Sequence, residues 1–80
     1  MSEYTENLGR RVELREEKSR LAAEIDALRG DLRSLCSPIL DVDDLNGTKI
    51  ANLGFSLNGK LERLTAINSK LAAIKEILGR

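Results

Sequence analysis

Leu14, Leu21, Leu28 and Leu35 recur every seven residues, and after an interruption Leu57, Leu64, Leu71 and Leu78 do the same. That spacing keeps leucines on one stripe of an α-helix, whereas in a strand it would throw successive leucines onto opposite faces. Both halves of the chain are therefore predicted to be long helices with a heptad seam. In the first, the leucines stand at d with Arg11, Lys18, Ile25 and Leu32 at a, so the seam is apolar towards the middle of the chain and charged towards its start. In the second, the leucines are again assigned d, with Leu53, Lys60, Ile67 and Ile74 at a, and Ile50 extends the seam upstream. Lys18 is expected to lay its methylene stem on the seam and keep its ammonium in water.

What separates the seams reads as a turn. Pro38 pushes its predecessor out of helical geometry, and Asp41, Asp43 and Asp44 offer caps for a second helix. Ser2 or Thr5 is expected to cap the first helix, with Glu3 and Glu6 favourable near its positive end. These signals predict a single domain over residues 1–80: a helix at about 4–36, a turn at 37–43 and a helix at about 44–78. Gly54 and Gly59 weaken the start of the second helix by about 1 kcal/mol each relative to alanine, which opens a kink between Asn52 and Lys60 as an alternative. Asn46-Gly47 and Asn58-Gly59 are also hairpin-turn dipeptides, but the run Ile50, Leu53, Leu57, Leu61, Leu64 has helical spacing.

A short turn cannot return a chain parallel to a helix of some 30 residues, about 45 Å long. The expected fold is all-α, an antiparallel two-helix coiled-coil hairpin, with Lys18 near Leu64 and Lys60 near Ala22. Its intra-hairpin seam comprises Leu14, Leu21, Ile25, Leu28, Leu32, Leu35, Ile50 and Leu53. On the assignment above the flanks differ. Helix one has Glu17, Glu24 and Asp31 at g and Arg15 and Arg29 at e, whereas helix two has Gly59, Ala66 and Ala73 at g and Thr65, Ala72 and Gly79 at e. Small uncharged flanks permit close approach by further helices. A homodimeric four-helix bundle is therefore expected, with Leu57, Leu61, Leu64, Ala66, Ile67, Leu71, Ala73, Ile74 and Leu78 at the oligomer interface.

Composition narrows the function. Eighty residues with one cysteine and no histidine hold neither an internal disulfide nor a histidine-based catalytic centre. The polar start and the absence of long apolar runs predict no secretion signal and no membrane span, and with a lone thiol a cytoplasmic protein. Thirteen basic residues balance thirteen acidic ones, which removes the overall positive charge usual in nucleic-acid binders. Tyr4 and Phe55 are the only aromatics, so stacking on bases has little support.

Three motifs invite chemistry and fall short. Asp41-Val42-Asp43-Asp44-Leu45-Asn46-Gly47 begins like a calcium loop, but position five is Leu45, position six Asn46 and position twelve Asn52 instead of glutamate. Cys36 has no base to activate it and reads as a small, buried or half-buried residue at the helix end. Arg10, Arg11, Arg15 and Lys18 alternate with Glu13, Glu16 and Glu17, the pattern of a solvated helix face. No enzyme activity, cofactor, metal or small-molecule substrate is expected.

The reading is a self-associating structural, scaffold or adaptor module whose partners are itself and another protein's helix. The alternative is a nucleic-acid-binding regulator with contacts at Arg10, Arg11, Arg15, Arg63, Lys70 and Lys75. In architecture alone a dimer of such hairpins resembles the Rop family of plasmid RNA-binding proteins. No residue motif is shared, so no functional residue carries over.

Overall fold

The computed structural model describes residues 2–79. The first and last residues of the expected 1–80 domain lie outside the described residues. Helix α1 spans Glu3–Leu35 and helix α2 spans Gly47–Leu78. Glu17 meets Arg63 and Glu24 meets Lys60, so numbers that rise along α1 fall along α2, and the helices form an antiparallel hairpin. The rod measures 61 × 18 × 15 Å over its Cα atoms.

The helix ends follow local hydrogen bonding. Ser2 caps α1, its Oγ accepting from the Thr5 amide at 3.3 Å. At the other end the Cys36 amide donates to the Leu32 carbonyl at 2.9 Å, and Pro38 forbids a further turn. Helix α2 starts at Gly47, three residues later than the expected 44, because its cap is Asn46 and none of the aspartates. Asn46 Oδ1 accepts from the Lys49 amide at 3.0 Å. Asp43 and Asp44 lie instead in a short 3₁₀ turn, Val42–Asp44, where the Asp44 amide donates to the Asp41 carbonyl. Helix α2 runs unbroken through Gly54 and Gly59, so the two glycines do not interrupt it between Asn52 and Lys60. It ends at Gly79, whose φ of 73° lies in the left-handed region that glycine enters without a Cβ clash.

Packing corrects two expectations. First, in α2 the leucines precede Lys60, Ile67 and Ile74 by three residues, which is the a-to-d step. Leu57, Leu64, Leu71 and Leu78 therefore stand at a, and the lysine and isoleucines at d. The shift moves the flanks too: Arg63 and Lys70 now border the seam at g, and Leu61, Asn68 and Lys75 at e. Gly59, Ala66 and Ala73, together with Thr65, Ala72 and Gly79, sit one step farther from it. The rims of α2 are charged like those of α1, and the supposed smooth flanks are not the seam's immediate borders.

Second, the deepest burial lies between the middle of the hairpin and its open end, although the seam of α1 becomes more apolar towards the turn. Leu14, Leu21, Ile67 and Ile74 form the buried core, with Ile67 fully enclosed, and Ile25, Leu64, Leu71 and Leu78 pack against them. Isoleucine and leucine at facing positions interdigitate densely. Towards the turn, Leu28, Leu32, Leu35, Ile50, Leu53 and Leu57 are all half-buried. Gly54 and Gly59 contribute no cover there, and a Cβ added at either would meet nothing within 4 Å. Two helices enclose a seam on only two sides, so these side chains remain open along the edges.

Candidate functional site

The two edges of the hairpin differ chemically. Along one, charge closes the seam. Arg63 grips Glu17 through two bonds, Nε to Oε2 at 2.6 Å and Nη2 to Oε1 at 2.8 Å, and Lys60 Nζ donates to Glu24 Oε2 at 2.6 Å. The two pairs set the register, which leaves Lys60 level with Ala22 as expected, its ammonium reaching on to Glu24. The bond from Arg63 holds the Glu17 carboxyl below its usual range, with weaker help from Arg20 and Lys70, and Glu17 in turn raises Arg63. On α1 itself, Arg29 pairs with Asp26.

Along the other edge the seam opens into a groove of about 480 Å³, lined by Arg11, Arg15 and Lys18 from α1 and by Asn68, Leu71, Ala72 and Lys75 from α2. Its origin lies in the heptad. Arg11 and Lys18 occupy a positions, where a cation cannot be enclosed without a counter-charge, so both side chains leave the seam on this side. The e-position residues Arg15, Asn68 and Lys75 then form the walls, and Leu71 and Ala72 supply apolar surface. Among the described residues, none of the four cations lies within ion-pair distance of a carboxylate. Arg11 Nε itself is shielded from solvent beneath the rest of its side chain and has no hydrogen-bond partner among the described residues.

Of the six residues proposed to touch nucleic acid, Arg11, Arg15 and Lys75 share this groove, while Arg63 and Lys70 belong to the group around Glu17. Arg10 is exposed on α1 and lines neither. The groove also contains Lys18, which sequence reasoning set aside as a snorkelling side chain opposite Leu64; it lines the groove with Asn68 and Leu71, a turn farther on. Its charged a position was the available signal.

The expected oligomer interface divides. Ile67 and Ile74 are not on an outer face; at 0 % and 3 % exposure they are the hairpin's own core. Leu64, Leu71 and Leu78 pack against that core, and Leu57 and Ala66 are half-buried. Only Leu61 and Ala73 are exposed. Of the expected seam, Leu14 and Leu21 are buried and Ile25 packs on them.

Much exposed apolar surface lies instead around the turn, at Ile39, Leu40, Val42 and Leu45, with Phe55 two turns into α2. Ile39 is 91 % exposed, Phe55 84 % and Val42 83 %. Asp41, Asp43 and Asp44 are interspersed among them. Cys36 is exposed beside this region and not buried as expected, because the helix ends before another residue can cover it. Among the described residues no helix is long and apolar enough to cross a membrane, and no group of three potential ligands is placed to hold a metal ion. Compared with protein-family models, curated proteins and solved structures, the chain matches none.

Proposed function

We propose that this chain is a self-associating helical-hairpin module, a structural or adaptor protein whose partner is a second copy and whose assembled form is a four-helix bundle. The observation that carries this reading is surface left uncovered. A globular protein of 8.9 kDa exposes about 4,800 Å² by the usual scaling with mass, whereas this chain exposes 6,126 Å². The excess of about 1,300 Å² exceeds the roughly 800 Å² that each partner buries in a stable interface. The half-buried seam nearest the turn, with Leu61, Ile39 and Val42 exposed around it, is where apolar side chains gain most from a neighbour. A second copy fits this surface by symmetry, since a twofold axis brings the same incomplete seam against itself.

Light scattering on the intact chain at micromolar concentration is expected to give twice the monomer mass. A strict monomer there would overturn the proposal. Leu61→Glu, at an exposed position that the hairpin itself tolerates, is expected to return the assembly to monomer while leaving the helical circular dichroism in place.

The alternative of a nucleic-acid regulator draws on the groove alone, because of the remaining cations named for it Arg63 is engaged at Glu17 and Arg10 and Lys70 do not line the groove. The groove lacks any aromatic side chain, so it offers phosphate contacts without base stacking. Absence of a shift with RNA and DNA duplexes at low salt removes this reading.

A further inference from the structure

The basic groove and the acidic turn are complementary in charge, yet they lie at different levels of the same rod and cannot meet within one chain. The geometry points to a docking of the two in trans: the turn of a second copy, Ile39 to Leu45, occupies the groove formed by Arg11, Arg15, Lys18 and Lys75. This rests on the self-association proposed above and specifies its register.

Three observations carry it. The groove gathers four cations with no carboxylate at ion-pair distance among the described residues. The turn supplies three exposed carboxylates within four residues, Asp41, Asp43 and Asp44. Between them Val42 is 83 % exposed, matching the apolar strip of Leu71 and Ala72 in the groove.

The register follows from helix geometry. At 1.5 Å rise per residue, the groove lies about 10 Å from the middle of the rod towards the open end, and the acidic turn nearly 30 Å from it towards the other. A twofold axis that satisfies both contacts sets the rods antiparallel and slid by roughly 17 Å, with the axis passing near Leu57. That slide lays one turn-proximal half against the other, so the side chains left half-buried in the single hairpin are those covered. The docking is reciprocal and closed. It stops at two copies, whereas a one-way contact of turn to groove would propagate into a filament.

The test combines charge exchange with the native cysteine. Arg15→Glu with Lys75→Glu is expected to weaken the dimer by at least roughly tenfold, and Asp43→Lys with Asp44→Lys to do the same. Because every member is exposed, both variants are expected to keep the helical signal of the parent. The chain carrying all four changes restores complementarity with the signs exchanged and is expected to regain most of the lost affinity. A spin label on Cys36, the only cysteine and exposed, is expected to report a separation of about 35 Å in the parent dimer. Scattering in solution is expected to give a longest dimension of about 80 Å.

A monomeric parent overturns the self-association itself. A dimer whose affinity ignores both charge pairs, or that the fourfold variant does not rescue, overturns the groove assignment and leaves self-association standing. So does a Cys36 separation under about 20 Å, which marks hairpins aligned in parallel. Binding of an RNA duplex that depends on Arg15 and Lys75, with the dimer unaffected by their loss, would reassign the groove to phosphate.

Discussion

Replacing Ile67 by alanine tests the packing most directly. Its side chain is fully enclosed between Leu14, Leu21 and Ile74, so the substitution removes three carbons from a site that can collapse only partly around the gap. The cost of such truncations runs from about 2 to 5 kcal/mol, and the value expected here is about 3–4 kcal/mol. Against the roughly 4–12 kcal/mol that a chain of 80 residues usually holds in reserve, that is a large fraction. The melting temperature should fall by more than about 10 °C. Leu53→Ala supplies the control. It deletes as much apolar volume from the half-buried, turn-proximal seam, where an isolated hairpin should lose only about 1–2 kcal/mol.

The assay is urea unfolding followed by far-ultraviolet circular dichroism, at two protein concentrations roughly a hundredfold apart. At the lower one Ile67→Ala should be much the more damaging. At the higher one, association covers Leu53 and the two costs should converge. An Ile67→Ala loss under about 1 kcal/mol would refute the placement of the core. Equal losses at the lower concentration would refute the difference between the two halves of the seam.

Other perturbations address single elements. Because the bond from Arg63 depresses the folded pKa of Glu17 below its ordinary value of 4.5, the pair's contribution is complete well above that value and fades as pH falls through the lower, folded one. Comparing Glu17→Gln with the parent across that acid range should show a stability gap that is constant near neutrality and closes in acid; a gap independent of pH would refute the pairing. Removing the cap of α2 by Asn46→Ala should cost about 1 kcal/mol, and Asn46→Gly only a few tenths, in thermal or urea unfolding. Gly59→Ala should raise stability by up to about 1 kcal/mol, since the position is helical and an added methyl meets nothing within 4 Å.

Much of this architecture was legible in the sequence. The leucine repeats, Pro38 and the cap at Ser2 act over a few residues each, so each can be read without knowing where the chain returns. The cap of α2 was not legible, although its start at Gly47 falls close to the expected one, because aspartate and asparagine cap comparably well and only the path of the turn decides which one faces the first free amides. The basic cluster on α1 and Lys75 on α2 were both legible, but not that they share one groove, because a groove between helices depends on register. The phase of the second seam puts Arg63 and Lys70 at its borders, so small smooth flanks do not call for a partner; the uncovered surface does.

What the sequence determined by itself is that two long amphipathic helices form and that a short turn folds them antiparallel, since periodicity, capping and proline act locally. The tertiary structure alone decided which half of the seam is enclosed, which edge is sealed by Glu17–Arg63 and Glu24–Lys60, and which is opened by Arg11 and Lys18. Those outcomes depend on how side chains far apart in the chain share one interhelical space. Enclosure, ion pairing and cavity shape belong to the pair of helices and to neither one alone.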